Sequence, residues 1–160
     1  MADEHDLIDM ALVPWHDTLY FTGKCMGFVG KNMSGEKLVE SDLVLFNYSG
    51  FDDQIEIIVS AGTVTSLQFE RQWVAGVVDQ EISLPGEETK VLFWGVVEVN
   101  TTGICTKPYL LVPSQYPKMA QMMANVGLTN ITSSAFGACM QDSAIAYGKK
   151  VRCYLFPFRV

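Results

Sequence analysis

The run Val91-Leu-Phe-Trp-Gly-Val-Val-Glu-Val99 constrains this chain more than any other stretch. It is almost wholly β-branched, aliphatic or aromatic, which suits a pleated strand better than a helix. A turn signal stands on each side: Pro85 and Gly86 at the tip of Ser83-Leu-Pro-Gly-Glu-Glu-Thr89, and Asn100-Thr-Thr-Gly103 behind. Gly95 inside the run marks a bulge or a close backbone approach. A strand this apolar needs neighbours and cover, so the remaining sequence must supply further strands.

It does. Leu38-Val39, Leu43-Val-Leu-Phe46, Gln54-Ile-Glu-Ile-Ile-Val59, the stretch Thr63 to Val78 and Tyr109-Leu-Leu-Val112 all read as strands. Lys149 to Phe158 alternates Val151, Cys153 and Leu155 against Lys150, Arg152 and Tyr154, the period of a terminal strand with one buried face. One helix is expected, capped by Ser114 or Tyr116, with Pro117 in its first turn, Met119, Met122, Met123 and Val126 on one face, and Gly127 at its end. Ser133 to Tyr147 permits either a helix or a strand over Ala135–Met140. Residues 3–13 fit a short helix or an extended arm, stopped by Pro14. Residues 15–30 mix Trp15, Tyr20, Phe21, Met26 and Phe28 with Gly23, Gly27 and Gly30, and follow neither regular period.

The fold expected is therefore mainly β: a single compact antiparallel sheet or barrel-like domain with one or two short helices and an N-terminal arm. Residues 1–30 form the arm or irregular segment, and residues 31–160 the β-rich domain. The arm is expected to add little to the core and much to contacts with other chains. Its candidate partner-binding residues are Trp15, Tyr20, Phe21 and Phe28.

Composition narrows the function. Of 160 residues, 49% are hydrophobic and 18% charged, against about 25% charged in an ordinary soluble domain. Some of the apolar surface is thus available to a partner. The net charge is −7, and residues 1–60 hold eleven acids against three bases, −8, leaving +1 for the rest. The largest basic group is Lys149, Lys150 and Arg152, too small to displace counterions from a nucleic acid. The acidic first third either faces solvent or meets a basic protein surface. Met1-Ala-Asp-Glu-His-Asp6 lacks the features of a signal peptide, so no secretion is expected, and no apolar run approaches the ~20 residues of a membrane helix. The sequons at Asn47, Asn100 and Asn130 are then chance matches.

Catalytic constellations are hard to assemble from these residues. Only His5 and His16 are present, eleven residues apart, which gives no helical metal pair. The cysteines Cys25, Cys105, Cys139 and Cys153 form no close pair of the zinc type and read as reduced, mostly buried thiols. Gly30-Lys-Asn-Met-Ser-Gly35-Glu36 mimics a phosphate loop, but Glu36 stands where that loop needs lysine, so a surface turn is the better reading. Asp52-Asp53 lacks the alternating acids of a calcium loop. The expectation is no enzyme, no cofactor, no metal and no small-molecule substrate. The competing reading is a small β-barrel enzyme or ligand-binding domain whose pocket is lined by Trp15, Trp73 and Trp94 or by Asp52 and Asp53.

The C-terminal part carries a resemblance. Gly95-Val-Val-Glu-Val99, Gly103 and Tyr109-Leu-Leu-Val112 are similar to a strand pair of small phage head proteins. Phe136-Gly-Ala-Cys-Met-Gln-Asp142, Ala144, Ala146 and Gly148-Lys-Lys-Val-Arg-Cys-Tyr-Leu155 resemble the ending of tailed-phage capsid decoration, or cement, proteins. The likeness spans residues 94–160, and Cys139 and Cys153 stand where such proteins more often carry Leu or Val. It implies a structural subunit made in the host cytoplasm and bound to the virion surface, a homotrimer whose partner is the capsid or another assembly protein. A tail-tube or other virion subunit is the alternative within that class.

Overall fold

The computed structural model describes residues 19–47, 56–58, 74–114, 116–122 and 135–156, with backbone only for 144–148. In chain order the strands are β1 (Tyr20–Thr22), β2 (Cys25–Asn32), β3 (Leu38–Val39), β4 (Leu43–Phe46), β5 (Glu56–Ile58) and β6 (Val74–Val78). They continue as β7 (Ile82–Ser83), β8 (Glu88–Cys105), β9 (Leu110–Pro113), β10 (Ala120–Met122), β11 (Gly137–Cys139) and β12 (Ser143–Leu155).

The pairings close on themselves twice. One circuit runs from β2 to β5, β4, β6, β8 and back to β2. The other runs from β8 to β10, β9, β11, β12 and back to β8. Two five-stranded rings thus share β8, and closure leaves the ring strands without the open edges that invite unwanted pairing. The expected antiparallel, barrel-like character is present; among the described pairings only β2–β5 and β8–β10 are parallel.

β8 changes partners at Gly95. Up to Trp94 it pairs with β2, and from Gly95 to Cys105 with β12. Gly95 has φ +110°, and a Cβ there would stand 2.8 Å from the Lys24 carbonyl oxygen and 2.9 Å from Cys25 Sγ. Only glycine allows both the turn of the backbone and that approach.

Each ring has its own core, and strand alternation builds both. Phe28, Val44, Phe46, Ile57, Val78, Val91 and Phe93 fill the first, where the Phe28 ring centroid lies 5.7 Å from Phe46 and 6.0 Å from Phe93. Their chain neighbours Leu43, Val77 and Leu92 stand side by side across β4, β6 and β8 and face the other way. That row joins Val97, Val99, Leu111, Val151, Cys153 and Leu155 in the second core. The apolar runs in these strands are continuous because both faces are covered.

Four sequence expectations need correction. Asn100 to Gly103 make no turn; they continue β8, with Asn100 opposite Lys150 and Thr101 opposite Lys149. Thr101 is buried and its hydroxyl donates to the Lys149 carbonyl at 2.8 Å, so long-range pairing overrides the local turn signal. The helix from Ser114 or Tyr116 is replaced over its described part by a turn and a strand. Ser114 Oγ accepts the Tyr116 N–H and donates to the Tyr116 carbonyl, and β10 then buries Ala120 and Met122 at period two. Met123, Val126 and Gly127 lie outside the described residues, within which no helix occurs. Residues 20–30 are not irregular, since β1 and β2 occupy them. Nor does the domain begin at residue 31, because β2 crosses that boundary and lays Phe28 in the first core.

The two rings are pinned together at Ser41 and Asp42. Ser41 adopts φ +75°, donates its N–H to Val78 and accepts the Asn100 N–H at 2.9 Å. The buried Asp42 carboxylate accepts Asn100 Nδ2 at 2.9 Å and the Val39 N–H at 2.8 Å. Removing it in Asp42→Ala leaves two donors without their acceptor, at a cost of about 3 kcal/mol. Burial raises the Asp42 carboxyl above its ordinary value, against the opposing pull of these hydrogen bonds. A carboxyl raised in the folded state contributes its stability fully below the unfolded pKa and loses it as pH rises through the folded one. The urea midpoint of the native chain should therefore fall relative to that of Asp42→Asn as pH rises from 3 upward; a constant difference between the two would contradict this.

Candidate interaction surface

Short-range alternation sets one outward row of apolar side chains across four strands. On β1, Phe21 stands opposite Met26 of β2, which stands opposite Trp94 of β8. The Trp94 ring meets Tyr154 of β12 edge-on at 6.2 Å, and Tyr154 meets Phe156 at 6.0 Å. Val96 stands opposite Tyr154 and completes the row. Phe21 is 73% exposed and Val96 43%; Met26 and Trp94 rest partly on the first core. Aromatics held by a sheet with one face outward are suited to an interface, where large area comes with little conformational entropy to lose.

The four candidate residues part company here. Phe21 belongs to the row. Tyr20 is half-buried beside it; its hydroxyl donates to Asp79 Oδ2 at 2.9 Å, and Lys90 Nζ sits 5.7 Å from its ring centroid. Burial, with that acceptor second, holds the Tyr20 phenol far above its ordinary range. Phe28 is fully buried and is a core residue. Trp15 lies outside the described residues, as do Trp73, Asp52, Asp53, His5 and His16. Sequence reasoning set Tyr154 on the outer face with Lys150 and Arg152 and weighed Trp94 for a pocket, but named neither of them, nor Val96 or Phe156, as partner-binding. The signal was present in the alternation of β12, where Tyr154 shares its face with Lys150 and Arg152.

A second exposed patch lies on the β3–β7 ribbon. Val39 stands opposite Ile82, and Leu84 follows two residues on; Ile82 is 50% and Leu84 48% exposed. Leu38 and Ser83, the inward pair, are buried. Beneath them Asn32 Nδ2 donates to the Glu36 and Ser83 carbonyls, and Asn32 Oδ1 accepts Ser34 Oγ at 2.6 Å. The phosphate-loop mimic is thereby a turn closed by its own side chains.

The thiols Cys105, Cys139 and Cys153 sit inside the second ring, all unpaired, with Cys139 opposite Cys153. Burial pushes Cys105 up to about 11 and Cys153 up to about 12, which keeps both protonated and weakly nucleophilic near neutrality. Cys25 is raised as well, by burial, although its thiol donates to the Val96 carbonyl at 3.2 Å. Among the described residues no three His, Cys, Asp or Glu side chains are placed to hold a metal ion.

These features define a class of small, two-ring β protein with apolar rows on its outside. A solved structure of this fold is the head fiber gp8.5 N base of bacteriophage phi29, with a TM-score of 0.51 and 16% identity over 81% of this chain and 92% of that one. No protein-family profile and no curated protein matches the sequence.

Proposed function

We propose that this chain is a structural protein of a phage virion, bound to the outside of the capsid as a decoration subunit and acting as a homotrimer without catalysis. The observation that carries the proposal is the fold shared with the phi29 head fiber base, met by an outward aromatic row on this chain. Such a protein works by covering seams between other subunits. At ~25 cal/mol per Å² of apolar area, a contact of ~1,600 Å² supplies ample gross energy, and many copies on a symmetric shell strengthen retention. The reading needs no nucleic acid, membrane, cofactor or small-molecule substrate, and places synthesis in the host cytoplasm.

The test uses heads of the phage that encodes the chain, prepared without it, and the purified protein added back. Phe21→Ala and Phe21→Asp alter an exposed position and should leave the melting temperature nearly unchanged. Each should weaken head binding by tenfold or more, on the order expected of a disrupted anchor. Unaltered binding by both variants would exclude the aromatic row as the attachment face. Failure of the native protein to bind heads would exclude the decoration role.

A further inference from the structure

We propose that the acid-rimmed apolar ribbon of one copy, formed by β3 and β7, seats on the basic end of β12 of a second copy. The ribbon and its flanks, residues 36–42 and 79–88, hold seven acids and one base. Three of the acids bond other side chains within the fold: Asp42 at the ring joint, Glu36 on Lys118 Nζ at 3.1 Å and Asp79 on the Tyr20 hydroxyl, while Glu87 Oε2 accepts the Leu84 N–H at 2.8 Å. Glu40, Glu81, Glu87 and Glu88 remain exposed around Val39, Ile82 and Leu84. An apolar face ringed by four carboxylates repels a copy of itself and fits a surface of apolar groups edged by cations.

The chain carries such a surface. On the outward face of β12, Lys150 and Arg152 are exposed and Tyr154 follows, while Lys149, of the opposite parity, is exposed beside them. Opposite Lys150, Arg152 and Tyr154, β8 presents Asn100, Glu98 and Val96, so a single acid faces this group of three cations. Lysine stems add apolar cover of their own while the ammonium groups reach the rim. Unlike faces that pair copy to copy form closed rings when the rotation permits.

This contact deepens the homotrimer part of the proposed function and is measured without capsid, so the two can fail separately. Sedimentation of the purified full chain over a range of concentration and salt should show a self-associating species that weakens as salt screens the charges. Glu40→Lys with Glu81→Lys should weaken association on the order of a hundredfold, and Lys149→Glu with Lys150→Glu should do the same. The chain carrying all four changes should associate again, since opposite signs then face each other once more. Thermal unfolding of each variant establishes that it is folded. Monomeric native protein, reversals without effect, or a folded four-fold variant that stays monomeric would each overturn the contact. Loss of head binding by a chain that still associates would sink the decoration role alone.

Discussion

Replacing Gly76 by alanine is expected to remove about 4 kcal/mol of folding stability, the largest effect of any single methyl group in the described fold. Gly76 lies in β6 at φ +151°, outside the range that L side chains adopt with ease. A Cβ there falls onto the Leu92 carbonyl oxygen and within 2.8 Å of Val91 Cγ1. Both obstacles belong to β8, the strand common to the two rings, so relief requires β6 and β8 to part where Val77 pairs with Leu92. Backbone strain of ~1–3 kcal/mol and overpacking of ~1–3 kcal/mol together approach the whole stability of a marginal domain, ~5–15 kcal/mol. Urea unfolding monitored by tryptophan fluorescence measures the loss; a midpoint shift worth less than about 1 kcal/mol would contradict the close approach.

Deleting residues 1–30 is expected to abolish cooperative folding. The deletion removes β1 and nearly all of β2, which pairs with β8 from Met26 to Lys31 and with β5 at Lys31 and Asn32. The first ring then opens, and β5 and β8 each gain a bare edge. Phe28 leaves a void between Phe46 and Phe93; truncating that side chain alone to alanine costs about 3–5 kcal/mol. Circular dichroism on heating should show no sigmoidal transition for the deleted chain. A soluble monomer that melts cooperatively would mean that β2 is dispensable and that the segment is an appended arm after all.

The difference between that result and the sequence expectation is instructive. β8 and β12 were legible because their β-branched runs and alternation are local properties of the chain. β2 was not, because Cys25–Asn32 contains Gly27 and Gly30, which read as breakers. Gly27 is there for space: a Cβ would stand 2.5 Å from Tyr20 Cζ, whose ring lies across the strand. The end of β8 was hidden for a related reason. Asn100-Thr-Thr-Gly103 has turn composition, yet ladder bonds from β12, forty or more residues away, hold it extended. Ring closure depends wholly on such distant pairings and leaves no short-range trace.

The exposed aromatic row, the candidate interaction surface, was partly legible. Phe21 was identified from the aromatic–glycine mixture, and it does point outward. Phe28 came from the same mixture and points inward, since alternation within an unrecognised strand cannot be assigned a face. Trp94, Val96 and Tyr154 become neighbours only when β8 crosses Gly95 and takes β12 as partner. The acidic ribbon was not legible in the composition, because four of its seven acids come from residues 79–88, outside the acidic first third, and reach Glu36, Glu40 and Asp42 only through the β3–β7 pairing.

The proposed virion role is tested most directly by counting copies of this chain in purified virions by quantitative mass spectrometry, against the major capsid protein. The account predicts a fixed ratio, in whole multiples of three per repeating unit of the shell, lost from particles when Phe21→Asp is introduced. Absence of the chain from virions, or a trace amount that varies between preparations, would contradict it.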